Sequence, residues 1–322
     1  AEWYVRIACG LVIFSYLNAI LTGLLTAAGN SRTPFIVNVA GLVFNVVLDP
    51  VLIFGIGPFP ELGVSGAAAA TVTAQALVSL LFFKAVLREK VLFPHLRLWV
   101  LVPVKVWREI VRIGVPSAVQ NLIYAGISMI LTRLITGWGD LAVAAQRVGS
   151  QIESVSWMVG DGFSAAVNAF LGQNYGAKRY DRVRRGYFCA IAMTAAWGLC
   201  TTFLLIGMAR PLFSIFLQEE EVMAIGVNYL RIVGLSQMFM MVEQTSIGAF
   251  SGLGRTLYPS IISVTFTSAR IPVAVLLSSV MGLSGIWWAL SISSMVKGCI
   301  LFVSFVVFLY VFLERKKDEK TV

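Results

Sequence analysis

Histidine is nearly missing from this chain: His95 is the only one in 322 residues. The four cysteines, Cys9, Cys189, Cys200 and Cys299, stand far apart with no Cys-x-x-Cys spacing. Metal-centred chemistry needs such groups clustered, so it finds no support in the pattern. The cysteines read instead as small hydrophobic residues of the core. An enzyme embedded in a membrane would need a convergent nucleophile and base or a metal cluster, and neither is visible. Charge is scarce too, at 13% of the residues, whereas hydrophobic residues make up 58% and the mean hydropathy is +0.84. A water-soluble domain could not cover that much apolar side chain with polar surface.

What the chain does have is long apolar sequence. Runs able to cross roughly 30 Å of hydrocarbon as helix cover residues 7–28, 34–56, 64–83, 113–136, 142–172, 186–208, 223–251, 259–281 and 284–313. They are too long and too uniformly apolar for the alternating strands of a β-barrel. The expected fold is therefore all-α, a polytopic bundle of about nine transmembrane helices. The first run lacks the basic-then-apolar pattern and cleavage signature of a secretory signal peptide.

The net charge of +9 is unevenly spread. On one side of the alternating connections lie Arg32, a cluster from Lys84 to Arg112, a second from Lys178 to Arg185, Arg255 and the tail Arg315, Lys316, Lys317 and Lys320; on the other lies Arg210. The positive-inside rule puts the basic loops and the C-terminus in the cytoplasm, and the acidic turn Glu219-Glu220-Glu221 outside. Basic patches that bind nucleic acid sit on soluble folds with interleaved aromatics, so no nucleic-acid partner is expected.

The chain also repeats itself. Tyr4-Val5-Arg6-Ile7 opens a stretch running to Gly29 and Pro34, and 225 residues later Tyr229-Leu230-Arg231-Ile232 opens one running to Gly254 and Pro259. Leu62-Gly63-Val64-Ser65-Gly66 returns as Met281-Gly282-Leu283-Ser284-Gly285 at an offset of 219, a six-residue change in the intervening loop. Three further runs precede the second copy and none precedes the first, so the chain is expected to be an N-terminally truncated piece of a twelve-span protein. The organisation that follows is residues 1–88 as a partial first lobe of three helices, 89–112 as a basic interlobe linker, and 113–322 as a complete second lobe of six helices with a basic tail. Two parallel repeats are a common plan of secondary transporters, with the substrate site between the halves near the midplane.

Two constellations carry chemistry. Asn45 and Asp49 lie four residues apart, hence on one helix face, and Pro50 follows. Proline has no N–H to give the Val46 carbonyl, so a carboxylate, an amide and a freed carbonyl gather where the helix should bend. An ionised, unpaired aspartate in an apolar span costs on the order of 3 kcal/mol, so it should hold a proton or a cation. The alternative is that Asp49 lies near enough to the helix end to be hydrated or to cap a neighbour. In the fifth run Gln146, Ser150, Glu153, Trp157, Asp161, Ser164 and Asn168 form one stripe at spacings of three and four. Lipid cannot satisfy such a stripe. It faces either a wet cavity, whose acidic and aromatic groups suit a cationic amphiphile, or other helices through hydrogen bonds. Glu243, with Gln237 and Gln244 nearby, and Arg270 and Lys297 add buried charge, which either contacts substrate or neutralises itself in buried pairs. The repeat offset maps Asn45 onto Arg270 and Asp49 onto Ala274, so the two copies differ in chemistry. Gly66 to Ala70 and Gly248-x-x-x-Gly252 read as close helix contacts.

Gly29-Asn30-Ser31-Arg32-Thr33-Pro34, the block from Asn45 to Gly55 and that from Leu62 to Thr71 resemble the fourth to sixth spans of the multidrug and toxic compound extrusion (MATE) transporters. Gly114-Val115-Pro116-Ser117, Ala144-Ala145-Gln146-Arg147, Gly172-Gln173-Asn174-Tyr175-Gly176-Ala177 and Gly252-Leu253-Gly254-Arg255-Thr256 are similar to landmarks of spans seven, eight and ten. The resemblance implies an antiporter of a bacterial cytoplasmic membrane, embedded in lipid and monomeric at full length. It would export organic cations or other amphiphiles in exchange for H+ or Na+ and use no bound cofactor. It further implies a cation-coupling site at Asn45 and Asp49, completed by an aspartate on a first span that is not in this sequence. The substrate cavity would be bordered by Gln146, Glu153, Trp157, Asp161 and Glu243. In another branch acids on spans seven and ten form a second-lobe site; here span seven offers Gln120 and Asn121, and Glu243 is an approximate match on span ten, which favours coupling through the first lobe. A lipid-linked oligosaccharide flippase of the wider superfamily, with a more cationic cavity, and a non-transporting membrane scaffold are the other readings.

Overall fold

The computed structural model describes residues 6, 7, 9–88 and 103–318, with side chains described to Val311 except that of Arg88. The start of the first repeat at Tyr4 and Val5, the linker residues Lys90, Pro94, His95 and Arg97 and the tail residue Lys320 lie outside them. The described residues form helices joined by turns, with no strand among them. Two compact units emerge, Ala1–Leu101 and Val102–Val322.

The first unit contains α1 (Ile13–Ala27), α2 (Arg32–Phe54) and α3 (Gly63–Arg88). Its small core is Leu21, Leu25, Val37, Val78 and Phe82. The second contains α4 (Val104–Thr136), α5 (Asp140–Gly176), α6 (Tyr180–Gly207), the short α7 (Ala209–Ser214), α8 (Glu220–Gly234), α9 (Gln237–Gly252), α10 (Leu257–Ser268), α11 (Arg270–Met281) and α12 (Leu283–Asp318). In hydrocarbon each backbone group must find its partner inside the chain, and these apolar segments satisfy that as helices.

Every one of the nine predicted runs contains helix, with boundaries and breaks of its own. Six helical spans are long and apolar enough to cross a membrane, or seven if the pair α8 and α9, bent by 50°, counts as one. The first run is interrupted by a turn at Leu11 and Val12, which leaves α1 at 15 residues. Helix α5 is long, but its polar stripe keeps it out of the apolar set. Helix α4 begins at Val104, so the last part of the predicted linker is helical. The eighth run divides into α10 and α11 at Ala269. Pro272 accounts for that break, since it cannot donate to the Ser268 carbonyl. By contrast α2 continues through Pro50 to Phe54, so the predicted disturbance there produces no break. None of the four cysteines lies in the core: all are free and exposed, on outward faces of their helices.

The duplication holds in three dimensions. Helix α1 shifted by 225 falls on α9, α2 falls on α10 plus α11, and α3 shifted by 219 falls on α12. The turn after the first helix of each copy uses a glycine with positive φ, 90° at Gly29 and 68° at Gly254, a conformation that side chains disfavour. In both copies a glycine lets the third helix touch the backbone of the second. A Cβ on Gly66 would collide with the Leu52 carbonyl, and a Cβ on Gly285 with the Leu277 carbonyl. Leu52 and Leu277 are themselves repeat equivalents.

Within the second unit, α5 crosses α9 at the predicted small residues. A Cβ on Gly248 would strike the Ser164 carbonyl, and one on Gly252 the Asn168 carbonyl. Interhelical hydroxyls join α6 to α9: Thr245 donates to Thr194 at 3.0 Å, and Tyr187 and Ser246 lie 2.9 Å apart. Such contacts hold membrane helices together where hydrophobicity cannot, because lipid is as apolar as leucine.

Candidate functional site

In the first unit Asn45 and Asp49 share a face of α2, where the Asn45 amide donates to Asp49 Oδ1 at 3.2 Å. Both are half-buried. Among the described residues Asp49 has this one hydrogen-bond partner and no ion pair. A carboxylate so placed keeps lone pairs free for a proton or a cation.

A second polar node in this unit was not singled out from sequence. Asn18, 5% exposed, donates to the Gln75 carbonyl at 2.9 Å and to Gln75 Oε1 at 2.8 Å, and accepts from the Ser79 hydroxyl at 2.7 Å. The repeat offset carried a signal for it, since Asn18 shifted by 225 is Glu243.

The predicted stripe on α5 divides. Glu153 accepts hydrogen bonds from the Tyr229 hydroxyl at 3.0 Å and from the Gln237 amide at 3.1 Å. Gln146 accepts from the Trp287 indole at 3.1 Å, and the Tyr229 and Trp287 rings meet edge to face at 5.3 Å. Gln146 and Glu153 are thus drawn into one cluster spanning α5, α8, α9 and α12. Between them on α5, Gly149 lies against the Tyr229 ring, where a Cβ would collide with it. Ser164 and Asn168 present their backbone to α9, as described above. Trp157, 38% exposed, and Asp161 are the exposed part of the stripe. Tyr229 and Trp287 were missed from sequence because an aromatic in an apolar run carries no mark of its hydrogen bond.

Glu243 does not join that cluster by hydrogen bonding. It forms a buried ion pair with Lys297 of α12 at 2.6 Å, the residues being 7% and 5% exposed. Arg270, 7% exposed, donates to the hydroxyls of Ser293 at 3.1 Å and Ser294 at 3.0 Å. Two acids, Glu153 and Glu243, and two bases, Arg270 and Lys297, are thus among the buried or half-buried residues of the second unit. Of the two readings of this charge, the buried pair is the one observed for Glu243 and Lys297. Gln237, fully buried, keeps one oxygen without a partner among the described residues.

The profile of the MatE family matches residues 116–276, half of the chain. The chain belongs to the MatE family. It is 32% identical over 300 residues to the "Probable multidrug resistance protein NorM" of Thermotoga maritima, covering 89% of this chain and 62% of that protein. It is 26% identical to the "FAD transporter" of Shewanella oneidensis over 280 residues, 85% of this chain and 61% of that one. The chain thus spans less than two thirds of the length of these relatives. A solved MATE structure in the straight conformation shares its fold with a TM-score of 0.88 at 21% identity, covering 97% of this chain and 70% of that one. A Vibrio cholerae MATE transporter gives 0.79 at 21% identity, covering 97% and 68%. As a MatE protein the chain is a multipass membrane protein of a transporter family and not an enzyme.

Proposed function

We propose that this MatE chain serves in secondary active efflux, exporting cationic or amphiphilic organic compounds in exchange for H+ or Na+ across a bacterial cytoplasmic membrane, with its basic loops inside. The observation that carries the proposal is the pair on α2: Asp49 bonded to Asn45, half-buried in an apolar helix, with no basic partner among the described residues. An acid in that setting is stabilised by taking up a proton or a cation. If that uptake favours one conformation of the transporter, ion flow drives substrate the other way. The multidrug names of the relatives support the substrate class. Glu153, with Gln146, Trp157 and Asp161, supplies the acidic and aromatic groups suited to a cationic amphiphile, while Glu243 is held by Lys297.

The test is ion-driven efflux by the full-length protein in proteoliposomes, with Asp49→Asn against wild type. Loss of at least about tenfold in rate, equivalent to some 1.4 kcal/mol, is expected; undiminished ion-driven efflux removes Asp49 from the mechanism.

A second reading, an anionic amphiphile, draws on the name of the Shewanella relative and on buried Arg270, whose hydrogen-bond partners are hydroxyls. Against it, and against the lipid-linked oligosaccharide flippase, stand the two carboxyl groups of the α5 stripe, Glu153 and Asp161. Preferential transport of a flavin dinucleotide over a dye cation would favour it.

A further inference from the structure

The ion pair between Glu243 and Lys297 has no counterpart in the first unit. Its repeat equivalents are Asn18 and Val78, both neutral, and among the described residues Asn18 is satisfied by Gln75 and Ser79. Acid and base thus stand together in one copy and are both missing from the other. The pair is deep in the second unit, and the α9 and α12 backbones meet beside it: a Cβ on Gly298 would strike the Phe239 carbonyl. That approach brings Lys297 Nζ to 2.6 Å from Glu243 Oε1.

A buried carboxylate requires a counter-charge. The ammonium group provides one that is covalently attached, so it cannot be diluted away or exchanged. Ser293 and Ser294 lie four and three residues before Lys297, on the same face of α12, and hold the Arg270 guanidinium nearby. A small inorganic cation approaching Glu243 would meet two fixed positive charges.

We propose that Lys297 is a tethered counter-ion that closes Glu243 to sodium, and that removing its charge opens a monovalent-cation site between α9 and α12. Lys297 thereby determines that the second unit has no exchangeable cation at this carboxylate. The inference does not rest on the role proposed for Asp49, and the test removes that residue from the readout.

Thermal unfolding of the full chain is measured in nanodiscs, in sodium chloride against choline chloride at equal ionic strength, all variants carrying Asp49→Asn. The parent should show no sodium dependence. Adding Lys297→Gln should create a sodium-dependent rise in Tm of roughly 2–4 °C at about ten times the Kd, and adding Glu243→Gln as well should abolish it. If Lys297→Gln fails to fold in choline, recovery in sodium supports the proposal. Failure in both salts while the Glu243→Gln, Lys297→Gln pair folds overturns it. So does a folded Lys297→Gln variant with no sodium response, or a sodium response in the parent that Glu243→Gln removes.

Discussion

Asn18 and Glu243 occupy the same place in the two copies of the repeat, and their surroundings solve the same problem differently. Asn18 is neutral, and two residues of α3 meet its hydrogen-bonding needs. Glu243 is a carboxylate, and a lysine of α12 meets its charge. At the next equivalent place the contrast runs the other way: Asn45 sits beside an acid, Asp49, while Arg270 is bound by hydroxyls and Ala274 replaces the acid. The backbone frame is common to both copies, down to the paired approaches of Gly66 on Leu52 and Gly285 on Leu277. A duplicated membrane fold therefore keeps its packing while its buried electrostatics diverge, because packing depends on side-chain volume and charge depends on the partner across the interface.

The largest test of this contrast is Glu243→Gln, which strands a buried ammonium. It should destabilise by about 3–5 kcal/mol, whereas Asn18→Leu at the equivalent place should cost about 1–3 kcal/mol through the polar groups left unpaired. Unfolding in graded denaturing detergent would measure both, and a costlier Asn18 variant would break the comparison. Next in size, Gly66→Ala and Gly285→Ala should each cost about 1–3 kcal/mol by overpacking. Similar values would sharpen the claim of a shared frame, and a neutral result in one copy alone would contradict it. The smallest effect is expected at the exposed pair of Arg210 and Glu220, 2.8 Å apart and about 70% exposed on each side. Glu220→Ala should change stability by no more than about 0.5 kcal/mol, less in high salt.

Much of this was legible in the residues. The apolar runs located the helices, because lipid leaves a spanning backbone few other options, and the Asn45 and Asp49 spacing put both on one face. The fate of the α5 stripe was not legible. Its periodicity showed that one side is polar, but whether Glu153 meets a ligand or Tyr229 depends on a helix 76 residues away. Likewise Pro50 and Pro272 look alike in sequence, yet α2 continues through one while a break between α10 and α11 precedes the other.

Sequence alone decided that the chain is helical, membrane-embedded, duplicated and a likeness of the MATE transporters, since those properties reside in local composition, period and motif. Only the folded arrangement decided that Lys297 meets Glu243 and that Glu153 meets Tyr229 and Gln237. Those outcomes depend on distances between helices far apart along the chain, and no local pattern encodes a distance of that kind.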